Sequence, residues 1–281
     1  MIEPFEHPFK TIGDTTLNLY VIKPDTPPPQ GGYPAVVFFF CGGWKGFNHR
    51  ALFPQSAYLA SRGVMCFNAE VRVNAIHNTP AEKCVVDAKS AIRYVRQNAA
   101  TLNVDPNHIA ASGGSAAGCV TACCGVINGY EDANDDLSIS SRPDAMLIFN
   151  PRLDTVCEGN EWQQKRLTEI FGDPQKGHSL SPVHNVKPGN PPTLIMHGTE
   201  DQRLEVDHML RFQTAMHNAG NRCDLKLYEG AQHGFFHYRD GDNPWFYETM
   251  QAADEFLVSL NFIEGEEQTA SFKYIPIEEE S

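Results

Sequence analysis

The sequence predicts an α/β fold built on a doubly wound, mostly parallel sheet with an antiparallel N-terminal edge. Three observations lead there: short apolar runs spaced along the chain, helical patterns between several of them, and an alternating segment at the start. The runs at residues 36–40, 65–67, 108–112, 146–149, 193–196 and 225–228 are mostly uninterrupted in apolar character. Strands covered by helices on both faces look like this. Residues 9–22 instead alternate around Gly13-Asp14, which reads as a hairpin at a sheet edge.

The helices follow from start and stop signals. Residues 80–99 form the clearest one, with Pro80 at the first helical position and Thr79 and Glu82 spaced as a capping box. Met209, Phe212 and Met216 share a face ahead of Gly220, a stop signal, and further helices are expected over 163–171 and 245–260. Strand and helix thus alternate, and sheets of this kind carry their sites at the carboxyl ends of the strands.

With 281 residues, no internal repeat and only a short Pro/Gly-rich loop at 24–34, residues 1–262 are expected to be a single domain. Residues 263–281 form an acidic tail whose apolar run at 272–277 is expected to fold back on an edge, to join a second subunit of a homo-oligomer, or simply to fray. The net charge of −13 argues against nucleic acid and against anionic lipid, since both are bound through Lys and Arg. No apolar run reaches the roughly 18 residues of a spanning helix, and the first residues lack a secretion signal, so the chain reads as cytoplasmic unless a signal has been removed. Six of the eight cysteines fall in apolar strand or helix patterns, as packed, reduced thiols do.

The chemistry lies in the loops at the strand ends. After the run ending at Ser112 comes Gly113-Gly114-Ser115-Ala116-Ala117-Gly118, then a helix of small residues. A tight strand-to-helix turn of this composition lifts a serine hydroxyl over a helix N-terminus, where developing negative charge is favoured. The common pattern is G-x-S-x-G; here Ala117 takes the last place and Gly118 comes after it. A phosphate cradle or plain tight packing is the competing reading of such a turn.

Two later loops complete a set. His197-Gly-Thr-Glu-Asp201 comes after the run ending at Met196, with Asp201 preferred as the acid over Glu200 and over Asp154. His233 lies in Gly230-Ala-Gln-His233-Gly-Phe-Phe236, after the last core strand. The order Ser115, Asp201, His233 is the one a nucleophile elbow on this architecture requires. Phe40-Cys41-Gly42-Gly43-Trp44, after the first core strand, supplies glycines whose amides, with that of Ala116, are the candidate oxyanion donors. Trp44, Phe47, His49, Phe235, Phe236 and Trp245 are candidates to line the pocket, with Trp44 and Phe235 favoured by their neighbours.

These motifs resemble the α/β-hydrolase superfamily, in particular its carboxylesterase and acetyl-xylan-esterase-like branch with an H-G-G-G-W oxyanion loop. The stretches Asp87-Ala-Lys-Ser-Ala-Ile-Arg and Asn103-Val-Asp-Pro-Asn-His-Ile resemble that branch as well, and the likeness runs over nearly the whole chain. It departs at Phe40, where the branch has histidine, and at Cys41, where it has glycine. The resemblance implies a serine esterase with no large lid, working through an acyl-enzyme without metal or organic cofactor. A short insert between Pro151 and Pro191 suits short acyl groups on a small-molecule or saccharide alcohol, acetylated carbohydrate first. Amidase, peptidase or arylformamidase chemistry on the same triad, and a binding protein that has lost turnover, are the alternatives.

Overall fold

The computed structural model describes residues 4–239 and 243–275. Its strands are β1 (Phe5–Ile12), β2 (Thr15–Ile22), β3 (Tyr33–Phe39), β4 (Met65–Ala69), β5 (Val104–Gly114), β6 (Ala145–Phe149), β7 (Thr193–Gly198) and β8 (Cys223–Tyr228). They form one sheet in the order β1-β2-β4-β3-β5-β6-β7-β8. The expected hairpin closes between Ile12 and Thr15 and leaves β1 as an antiparallel edge; β2 pairs antiparallel with β4, and from β4 onward every pairing is parallel.

The helices are α1 (Phe53–Ser61), α2 (Asn74–His77), α3 (Glu82–Gln97), α4 (Ala99–Leu102), α5 (Ala116–Val126), α6 (Glu161–Phe171), α7 (Pro174–Ser179), α8 (Val206–Asn218) and α9 (Pro244–Ser259). The unbroken apolar runs have a direct cause in the two cores. Along β3, Ala35, Val37 and Phe39 join one cluster with α3, α5 and α8, while Val36 and Phe38 join the other with α1 and α9. A strand covered on both sides has no polar face to present. The expected doubly wound architecture is therefore the observed one.

The helix expected from residue 80 begins two residues later, and its capping box does not form. Ala81 is the N-cap and makes no side-chain cap. Glu82 Oε1 instead accepts from Lys176 Nζ at 2.6 Å, and Thr79 Oγ1 is buried without a hydrogen-bond partner. An ion pair to α7 has taken the carboxylate that the box needed. The charged residues of α3 are structural: Asp87, wholly buried, accepts from Arg72 Nε and Nη2 at 2.8 and 2.7 Å and from Lys10 Nζ at 2.9 Å. Lys89, also buried, donates to the Ile127 and Gly129 carbonyls and to Glu131.

All eight cysteines are buried and free, as the apolar patterns around six of them led us to expect. Phe262 and Ile263 are buried beside α9, and Phe272 stacks near Tyr58 and Phe246, so the tail folds back over α1 and α9 as far as it is described. Pro276 and Ile277, the end of its apolar run, lie outside the described residues. Among the described residues no helix is long and apolar enough to cross a membrane.

Candidate active site

Ser115 sits between β5 and α5 with φ +56° and ψ −118°, a left-handed backbone that a side chain rarely adopts. The neighbours that hold it there explain the small residues. A Cβ on Gly113 would lie 2.7 Å from the Ala117 carbonyl oxygen and 2.9 Å from Thr121 Oγ1. One on Gly114 would lie 2.6 Å from the Phe236 ring. The backbone is tied down from both sides: the Ser115 amide donates to the Phe149 carbonyl at 3.0 Å, and its carbonyl accepts from the Arg152 amide at 3.1 Å.

The three sequence-predicted groups converge. His233 Nε2 lies 3.0 Å from Ser115 Oγ, and His233 Nδ1 lies 2.7 Å from Asp201 Oδ2. The other carboxylate oxygen, Oδ1, accepts from the Arg203 and Leu204 amides at 2.9 and 3.1 Å. Burial works to raise the Asp201 carboxyl, but the hydrogen bond and charge of His233 and these two amides outweigh it and hold the group below the usual carboxylate range. Glu200 is exposed, and Asp154 is spent elsewhere, on Arg211 Nη2 at 2.6 Å and the Val156 and Cys157 amides.

The loops that carry Asp201 and His233 are latched together by their backbones. Glu200 N–H donates to the Ala231 carbonyl and Thr199 N–H to the Tyr228 carbonyl, each at 3.0 Å, and Gly230 N–H donates to Thr199 Oγ1 at 2.9 Å. The Ala231 backbone passes so near Gly198 that any Cβ there would overlap it. Asn150, fully buried after β6, was not singled out from the sequence. Its side-chain carbonyl accepts from Gly234 N–H at 3.4 Å and steadies the histidine loop. Its signal was available: an Asn-Pro step at a strand end, the asparagine tolerating φ +31°.

The glycine loop stands without the imidazole of its resemblance. Trp44 N–H donates to the Cys41 carbonyl at 2.9 Å and Lys45 N–H to the Gly42 carbonyl at 3.0 Å, while Ala75 N–H takes the Lys45 carbonyl at 3.0 Å. The Phe40 ring lies 3.6 Å from where a Gly42 Cβ would be, filling the space behind the loop. Hydrogen bonding to Cys84 and burial push the Cys41 thiol well up, so it stays a neutral packing group.

Above the serine lies a cavity of about 210 Å³. Gly43, Trp44, Ser115, Ala116 and His233 border it; Gly42 does not, being paired with Gly46 in a short bridge. Of the aromatic candidates only Trp44 lines it, packed edge-on against Phe171. Phe235, expected to touch substrate, is 1% exposed and packs against Tyr228, Phe236 and Trp245. His233, two residues earlier, turns toward the serine, and the turn at Gly234, with φ +76°, sends the Phe235 ring into the core. The opposite wall is α6, through Trp162, Gln163, Arg166, Leu167 and Ile170, and the loop after Asp201 adds Gln202, Arg203 and Leu204. Position along the chain singled out none of these eight: the insert between β6 and β7 carries no motif, and in the loop after β7 only the acidic residues drew attention.

The BD-FAE family model matches residues 19–216, and that of the dienelactone hydrolase family matches residues 170–265. Esterase 2 of Thermogutta terrifontis, solved with propionate bound, is 41% identical, covers 94% of this chain and 96% of its own, and superposes with a TM-score of 0.87. The same esterase has been solved phosphoramylated by tabun. Esterase LipC of Mycobacterium tuberculosis is 26% identical over 74% of this chain, and an acetylxylan esterase of Xylanibacter ruminicola 27% over 58%. The chain spans only 54% and 32% of the length of these two relatives.

Proposed function

This chain belongs to the BD-FAE family of α/β-hydrolases, and on that premise we propose that it is a carboxylic ester hydrolase acting through Ser115, His233 and Asp201. One observation carries the reading: an unbroken Asp201–His233–Ser115 hydrogen-bond chain that ends at a serine bordering a cavity. His233 Nε2 takes the proton from Oγ as the oxygen attacks the ester carbonyl. The charge that develops on the carbonyl oxygen is met by the amides of Gly43 and Ala116, the two of the three candidate donors that border the cavity. Each pre-aimed donor of this kind contributes about 3 kcal/mol to the transition state. Asp201 holds the tautomer in which Nε2 is free to accept and stabilises the imidazolium that forms. Collapse of the tetrahedral intermediate expels the alcohol, protonated by His233, and leaves an acyl-enzyme that water then cleaves with His233 as base.

The substrate is a short-chain ester, with acetylated saccharides as the leading class. A cavity of about 210 Å³ walled by one short helix suits a small acyl group better than a long one. The propionate in the Thermogutta esterase and the acetylxylan esterase among the relatives support the same size class. Ser115→Ala is expected to abolish 4-nitrophenyl acetate hydrolysis and labelling by a fluorophosphonate while the far-UV circular dichroism is unchanged. Undiminished turnover in that variant removes the assignment.

A further inference from the structure

The cavity over Ser115 has a charged lining that ester cleavage does not itself require. Arg152, Arg166 and Arg203 border it with Gln163 and Gln202, and no aspartate or glutamate does. In a chain with 35 acidic against 22 basic residues this is an unusual neighbourhood. Elsewhere Arg62, Arg72, Arg93, Arg96, Arg211 and Arg222 each meet a carboxylate oxygen at 2.6–2.8 Å. Among the described residues the three cavity arginines meet none. Arg152 donates to Gln163 Oε1 at 2.8 Å, and Arg166 lies over the Trp162 ring at 5.6 Å from its centroid. Arg203 gives its backbone amide to Asp201, and its guanidinium meets no carboxylate among the described residues. Glu169 borders the adjoining cavity of about 250 Å³, which Arg166 also lines, yet the two form no ion pair.

A guanidinium presents donors in a planar fork that matches a carboxylate, and such charge-assisted pairs are roughly twice as strong as neutral hydrogen bonds. Arg152 is held in place by neutral partners and supplies fixed positive charge. Arg166, on α6, and Arg203, after Asp201, are exposed, which leaves both free to close on a ligand. The chain's net negative charge does not oppose this at short range, because salt screens distant charges beyond about 8–10 Å.

We propose that the ester this site prefers carries a carboxylate near its scissile bond, held by Arg166 and Arg203 while the carbonyl lies at Ser115. The inference rests on the esterase reading above and adds the substrate's charge to it. Nothing covalent changes: the carboxylate is bound, not transformed.

Two matched pairs of esters test it on the purified chain. In 4-nitrophenyl hydrogen glutarate and 4-nitrophenyl valerate the acyl group is charged or neutral; in 4-acetoxybenzoate and its methyl ester the alcohol is. In one pair the anionic member is expected to have kcat/KM about tenfold higher at low ionic strength, mainly through KM, with the advantage shrinking as NaCl is raised. In the double variant Arg166→Gln/Arg203→Gln the anionic-to-neutral ratio is expected to fall toward one. Wild-type turnover that favours the neutral member of both pairs, or treats both alike, overturns the inference and leaves the esterase standing. A preference that survives the double substitution also overturns it. If none of the four esters is cleaved, the esterase reading fails and this inference with it.

Discussion

Gly118 lies against Pro151 so closely that a Cβ on the glycine would stand 2.7 Å from the proline Cβ. This contact explains the departure from the usual elbow pattern. The helix after Ser115 meets the β6–α6 connection one residue later than the pattern implies, at position 118, while the Cβ of Ala117 is simply buried. The same connection carries Arg152, whose amide holds the Ser115 carbonyl. Gly118→Ala is therefore expected to destabilise the protein by about 1–3 kcal/mol, through overpacking, and to lower kcat by moving the elbow. Ala117→Gly is expected to cost about 1 kcal/mol, from helix propensity alone. Urea denaturation of both variants checks the ordering; equal costs would mean that Pro151 gives way.

Asp201 and Asp154 are both buried carboxylates, each accepting two backbone amides, and only the first is hydrogen-bonded to a histidine. Asp201→Asn is expected to reduce kcat by about 10³–10⁴-fold with little loss of structure, because asparagine favours the wrong imidazole tautomer. Asp154→Asn weakens the pair with Arg211 and is expected to lower stability while kcat stays within a few-fold of wild type. Steady-state kinetics beside thermal melts separates the two; a collapse of kcat in the Asp154 variant would reverse the choice of acid.

The residues that the structure brings together as the sequence led us to expect are those that chain order constrains. Ser115, Asp201 and His233 each come after a core strand, and a parallel sheet brings the carboxyl ends of its strands to one edge. Direction within a loop is a different matter. Phe235 lies two residues from His233 and points into the core, because the turn at Gly234, with φ +76°, reverses the loop between them. The cavity wall on α6 was not legible either: Leu167 and Phe171 mark a buried helical face, but nothing in their spacing says that the face opposite a serine is the one being covered. The capping box at Thr79 failed for a related reason, since Lys176, far along the chain, competes for Glu82.

Phe235 and Trp162 test this difference between adjacency and contact. Phe235→Ala is expected to cost about 3–5 kcal/mol of stability through the cavity it leaves, with KM for a short ester unchanged. Trp162, 67% exposed and bordering the cavity, should behave in the opposite way. Its replacement by alanine is expected to shift KM while stability moves by no more than about 0.5 kcal/mol. Melting temperatures and KM values for the two variants give four readings, and a KM change in the Phe235 variant at full folding would return that ring to the pocket.

Acid should destabilise the fold in two stages, for a reason visible in its buried histidines. Burial pushes His197, His208 and His237 below their ordinary value of 6.5. His197 and His208 each keep a buried Nδ1 without a hydrogen-bond partner. A base whose folded value is depressed binds its proton more readily in the unfolded chain, so its contribution is fully present above 6.5 and is lost as pH falls through the folded value. Asp154 and Asp201, held below their ordinary 3.8, add a second loss, which begins under that pH and completes as it passes their folded values. The melting temperature is thus expected to be level above pH 7, to decline below about pH 6.5 and to fall more steeply below about pH 4. His208→Gln cannot take up the proton, so the decline in the first stage should be shallower in that variant while the second stage is unchanged. A wild-type melting temperature that stays flat from pH 7 to pH 5 would show that these imidazoles are not held neutral by burial.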